Sequence, residues 1–123
     1  MPGPPPPYDA YAEAVTLVGD KAYLHGESVL AMHGLALVDL HAIEVATPKR
    51  VRRKLPPWVE PVAAPKGERA TSYKGIPSQR VADAIGSCIG SAMPARLLEA
   101  AKQARSESLV TTGEYERLER ELA

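Results

Sequence analysis

The chain changes its hydrophobic period twice, and that limits its fold more than any other feature. In the first stretch Tyr11, Ala14, Val15 and Val18 recur at i, i+3, i+4, i+7, which is one stripe of a helix. Asp9 is a good N-cap for it and Gly19 ends it. A shorter helix is expected from Glu27 to His33, between Gly26 and Gly34, with Val29, Leu30 and His33 inward and Leu35 and Leu37 following. At His41 the pattern becomes alternation. Ile43, Val45 and Thr47 fall on one side and Ala42, Glu44 and Ala46 on the other, a strand with one buried face. Trp58 to Ala63 reads as a second strand, which Pro61 confines to a sheet edge. Arg69 to Lys74 reads as a third, ending in a turn at Gly75-Ile76-Pro77.

The helical period then returns. Ser78 can cap a helix with Val81, Ala82, Ile85, Cys88 and Ile89 on its apolar face, ended by Gly90. Pro94 suits the first turn of the next helix, with Leu97, Leu98, Ala101 and Ala104 inside. Thr111-Thr112-Gly113-Glu114 matches a capping box, in which Thr111 and Glu114 satisfy each other's exposed amides. The last helix sets Tyr115, Leu118 and Leu122 on one face, with Glu116–Arg120 and Arg117–Glu121 as i, i+4 pairs on the other. The expectation is an α+β fold: two N-terminal helices, a small sheet of about three strands, then three helices. Its core is Ile43, Val45, Val81, Ile85, Leu97, Leu98, Leu118 and Leu122. Met1 to Pro7 holds five prolines and no core-building side chain, so residues 1–7 read as a Pro-rich linker or disordered leader and 8–123 as a single domain.

At 123 residues one ordinary core is feasible without staples. No apolar run approaches the roughly 20 residues of a membrane helix, and no secretory signal opens the chain, so no membrane partner is expected. Cys88 is the single cysteine, which excludes an intramolecular disulfide and favours a cytoplasmic location. With three histidines and one cysteine, neither a structural zinc site nor any other cofactor is expected. Net charge is zero but unevenly spread: residues 1–40 carry −4, and residues 41–80 carry +6 from nine Lys/Arg against three acids.

The strongest chemical signal lies in that basic block. Five of the six residues from Lys49 to Lys54 (Lys49, Arg50, Arg52, Arg53 and Lys54) are cationic, between two strand candidates and closed by Pro56-Pro57. Arg supplies a planar fork for phosphate and Lys a point charge, so an exposed connection of this kind suits a nucleic-acid backbone or an acidic protein. The plainer alternatives are a solvated hairpin tip or a basic surface that meets the acidic N- and C-terminal segments. Only Trp58 lies near enough in sequence to stack on a base. His25, His33 and His41 recur every eight residues, but about 800° of helical rotation does not return them to one face. Asp39, Glu44 and Lys49 lack the Glu-x-Lys of a metal-dependent nuclease, Ser28 lacks the nucleophile-elbow context, and Cys88 reads as a buried thiol. No catalytic residue is assigned.

The segment His25-Gly26-Glu27-Ser28-Val29-Leu30-Ala31-Met32-His33-Gly34-Leu35 resembles the His-Gly-Leu helix of AbiEi-type antitoxins, from type IV toxin–antitoxin systems. The likeness continues in order through Ile43 to Arg53, a strand and basic turn, and through Tyr73 to Pro77. It runs on through Val81 to Ile85, including Asp83, and through Leu97 to Arg105. Members usually join an N-terminal winged helix, which binds the operon's promoter, to an antitoxin domain; this sequence is similar to the second part alone. The resemblance implies neutralisation of a cognate nucleotidyltransferase-type toxin, by direct contact or functionally, without enzymatic activity. Promoter DNA, met through phosphate contacts at Lys49–Lys54, is a further expected partner. The alternative is a nucleic-acid-binding accessory module that uses the same turn.

Overall fold

The computed structural model describes residues 8–35 and 40–123. The leader at 1–7, Leu37 and Asp39 lie outside the described residues. Helix α1 (Tyr8–Val18) buries Tyr11, Ala14, Val15 and Val18, the stripe that its spacing picks out. Strand β1 (Tyr23–Leu24) follows, then α2 (Glu27–Met32), in which Val29 and Leu30 are fully buried and His33 forms the C-cap. Strands β2 (Ile43–Thr47), β3 (Val59–Ala63), β4 (Ala70–Tyr73) and β5 (Ile76–Gln79) come next. Helices α3 (Val81–Ser87), α4 (Pro94–Ser106) and α5 (Thr112–Leu122) complete the chain.

The α+β class agrees with the sequence, but the arrangement does not: β1 falls between α1 and α2, and the sheet has five strands rather than three, in the order β3-β2-β1-β5-β4. Two strands account for the difference. With two residues, β1 is too short to show alternation, yet it is central, antiparallel to β2 and parallel to β5. Strand β5 occupies the segment read as a turn and a helix cap. The turn falls one step earlier, at Lys74-Gly75, both with positive φ, and Ser78 pairs with Leu24 instead of capping α3. Pro77 is tolerated beside a central strand because β1 meets β5 at Ser78 alone.

Strand β3 lies at the edge, as Pro61 requires, but it runs parallel to β2 in the register Ile43↔Val59 to Thr47↔Ala63. A parallel pair cannot be joined by a hairpin turn, so the basic segment belongs to a crossover rather than a hairpin tip. Alternation in β2 is only partly a sign of one covered face, because Ala46 is buried along with Ile43, Val45 and Thr47.

Helix α1 packs on β1, β2 and β5, α2 on β2 and α3, and α3 on α4 and α5. One contiguous core results, with Tyr11, Leu24, Leu30, Leu35, Ile85, Leu97 and Leu118 its largest fully buried side chains. Leu98 and Leu122, expected in the core, are half-buried, and Ala100 takes the inner position in α4. The Thr111–Glu114 capping box forms in full. Neither Glu116–Arg120 nor Arg117–Glu121 closes to an ion pair; Arg80 instead reaches Glu114 at 3.0 Å and ties β5's end to α5. Among the described residues no helix is long and apolar enough to cross a membrane.

Candidate functional site

The β2–β3 crossover is positioned by its two apolar residues. Val51 and Leu55 are half-buried and pack against the core, while Lys49, Arg50, Arg52, Arg53 and Lys54 are exposed. The Thr47 side chain shapes its start, accepting from the Lys49 amide at 3.3 Å and donating to the Lys49 carbonyl at 3.1 Å. At its end Pro56 carbonyl accepts from the Val59 amide, leading the chain into β3. The five cations that the sequence singles out therefore share one anchored segment. Among the described residues none of them is in an ion pair or a side-chain hydrogen bond. Arg53 departs from the others: its guanidinium lies against Gly19, so that a Cβ at Gly19 would sit 3.9 Å from Nη2.

A second arrangement is invisible to local sequence. His25 Nδ1 and Glu44 Oε2 are 2.6 Å apart, joining the turn before α2 to β2. Gly26, at φ +60° and ψ −132°, holds a backbone conformation that L side chains rarely adopt, and a Cβ there would come within 2.6 Å of that carboxylate oxygen, so the Glu44 side chain would have to move. The Gly26 amide donates to the fully buried Gln79 side chain at 2.9 Å, and Gln79 Nε2 donates to Glu68 at 2.8 Å and Ser87 at 2.9 Å. Tyr23 donates to the other Glu68 oxygen at 2.7 Å; burial, then that carboxylate, pushes the phenol's pKa up. This is a satisfied network that ties β1, α2, β5 and α3 together.

The three histidines are not assembled at one place. His25 and His41 line a cavity of about 350 Å³ with Glu27, Glu44 and Glu60, whereas His33 packs on Tyr73, with ring centroids 4.1 Å apart. Among the described residues no group of three or more His, Cys, Asp or Glu is placed to hold a metal ion. Cys88 is buried at the end of α3, and burial, with Glu27 and Glu44 adding, pushes its pKa up to about 12. It is a packed thiol, not a thiolate nucleophile at neutral pH.

Two of the five tyrosines do meet, which the sequence alone does not reveal. Tyr8, at the start of α1, meets Tyr73 edge-on with centroids 6.3 Å apart, and Lys74 Nζ lies 4.5 Å from the Tyr8 ring centre. Tyr8 and Tyr73 are 65 positions apart, so no local pattern joins them; the nearest signal is the Tyr-Lys-Gly run at the hairpin tip. Trp58, the one aromatic near the basic segment in sequence, is exposed and stands at the entry to β3, where its carbonyl accepts from the Ile43 amide. No family model, no curated protein and no solved structure matches the chain.

Proposed function

We propose that this chain is a cytoplasmic, non-enzymatic antitoxin domain of the AbiEi type that counters a nucleotidyltransferase-type toxin, using the β2–β3 crossover as its contact surface. One observation carries the reading: five cations, Lys49, Arg50, Arg52, Arg53 and Lys54, stand exposed, with no ion pair or side-chain hydrogen bond among the described residues, on a segment anchored by Val51 and Leu55. Unpaired cations held on a fixed backbone keep their full field for a partner's carboxylates or phosphates, because no ion pair has to be broken first. The order of motifs supports the same reading. The His-Gly-Leu segment packs as α2 and its C-cap, the basic crossover follows β2, and Asp83 lies on α3.

The test is growth rescue. The chain is co-expressed with a nucleotidyltransferase-type toxin of a type IV system, with and without Arg50→Glu, Arg52→Glu and Arg53→Glu together. Rescue by the native chain and its loss in the charge-reversed, folded variant is the expected result. Absence of rescue by the folded native chain overturns the antitoxin reading. The same cations also suit an accessory module for promoter DNA, in which relatives couple neutralisation to autoregulation. In that case duplex affinity falls with salt at a log–log slope of about −4 to −5 for five phosphate contacts. Rescue without such duplex affinity favours the antitoxin role alone.

A further inference from the structure

The sheet has two edges, and they are finished differently. Strand β3 is blunted by Pro61, which has no amide to offer, and by the charged Glu60. Strand β4 holds neither a proline nor a charge, and its Ala70, Thr71 and Ser72 are exposed. The hairpin fixes which of its backbone groups face outward. Lys74 and Gly75, at φ +51° and +80°, form a two-residue turn that closes on the pair Tyr73↔Ile76. That closing pair exchanges both of its hydrogen bonds, and every second pair after it does the same. Thr71 therefore bonds to Ser78, while Ala70 and Ser72 stand opposite Gln79 and Pro77 with their amides and carbonyls turned away from β5. Pro77, with no amide, suits that place. Among the described residues nothing pairs with the outward groups of Ala70 and Ser72.

We propose that β4 is a docking edge for an extended, acidic segment of a partner protein, which adds a strand to the sheet through the Ala70 and Ser72 backbone. Strand addition draws its affinity from main-chain hydrogen bonds and its selectivity from the side chains beside them. Here those side chains are cationic. Lys66, Arg69 and Lys74 are exposed, and among the described residues none of them is in an ion pair. The nearby Glu68 is occupied on both carboxylate oxygens, by Tyr23 and Gln79. A second copy of the chain is a poor occupant, because two paired β4 strands would bring two such sets of cations together with no free carboxylate between them. The leader at 1–7 is poor as well: five of its seven residues are prolines, without the amides that a ladder needs. Nucleic acid answers the cations but not the alternating donors and acceptors of the edge. The inference rests on this edge, and neither on the β2–β3 crossover nor on the antitoxin role.

The experiment follows amide exchange of the isotope-labelled full chain by NMR, with and without a short blocked peptide of alternating Thr and Glu. A peptide of alternating Thr and Lys is the control. In the free chain the Ala70 and Ser72 amides should exchange quickly and those of Thr71 and Tyr73 slowly. The Glu peptide should slow exchange at Ala70 and Ser72, and the Lys peptide should leave it unchanged. Ser72→Pro removes one outward donor without touching the β5 ladder, and should weaken Glu-peptide binding about tenfold, the order of one lost hydrogen bond. Lys66→Glu with Arg69→Glu leaves the backbone intact and should turn the preference toward the Lys peptide. Unchanged exchange at Ala70 and Ser72 with the Glu peptide, equal binding of the two peptides, pairing of two copies through β4, or protection of the same amides by oligo(dT) each overturns the proposal. Growth rescue is read separately, so failure of the edge leaves the antitoxin test intact. Circular dichroism confirms that each variant is folded.

Discussion

The Tyr11 hydroxyl is buried with no hydrogen-bond partner among the described residues, although the ring fills a fully covered site beneath α1. Burial, with Tyr8 adding, pushes its pKa up to about 12, so it stays neutral and its cost is that of an unsatisfied donor. Tyr11→Phe keeps the ring and removes that cost. It is expected to raise stability by up to about 1 kcal/mol in urea denaturation, and a clear loss would reveal a partner for the hydroxyl. His33 gives the molecule a pH dependence. Burial holds its imidazole below the ordinary 6.5, with Glu107 opposing in part, so the folded chain favours the neutral ring. Its contribution is fully present above 6.5 and declines as pH falls towards the lowered folded value, because the unfolded chain then takes up the proton first. Glu114 acts lower: burial alone would raise it, but the Thr111 amide and Arg80 outweigh that and hold it below 4.5. Stability measured between pH 7 and 5 should therefore fall in the native chain and stay flatter in His33→Gln. Equal slopes would remove His33 from the account.

At the scale of elements, the buried Gln79 amide does what the two-residue β1 cannot. Strand β1 joins β5 through one residue pair, Leu24↔Ser78, and Gln79 reinforces that junction by accepting from Gly26 and donating to Glu68 and Ser87. Gln79→Ala leaves a buried amide and a carboxylate unserved and should cost about 2–4 kcal/mol by thermal or urea unfolding. Gln79→Glu should also destabilise, since a carboxylate cannot donate to Glu68. A cost under about 1 kcal/mol in both would make the network dispensable. Elements written in local chemistry were legible. The α1 stripe, the capping box of α5, the edge placing of β3 by Pro61 and the exposed cations of the crossover all follow from neighbours in sequence. What depends on distant partners was not legible. Strand β1 exists only through β2 and β5, and β5 is a strand despite Pro77 because its neighbour is so short. The parallel course of β3 reflects the crossover, not the residues of β3. The contact of Tyr8 with Tyr73 needed the hairpin tip to be carried to the start of α1.

Over the whole molecule, the sheet is two pieces that share a seam. Strands β1, β2 and β3, with α1 and α2, come from the first part of the chain, and β4 and β5 with three helices from the rest. A cleft of about 730 Å³ along α1 straddles the seam, since Arg53 and Lys21 on its wall belong to the first piece and Ala70, Gly75, Ile76 and Pro77 of the β4–β5 hairpin to the second. A slip of one residue at Leu24↔Ser78 would shift the hairpin by about 3.3 Å and turn the side chains of β5 over. The wall facing Arg53 would then be lost together with the buried places of Ser78 and Gln79. The cleft is thus a gauge of correct assembly: a chain whose two pieces have joined out of step has no groove to offer between Arg53 and the hairpin.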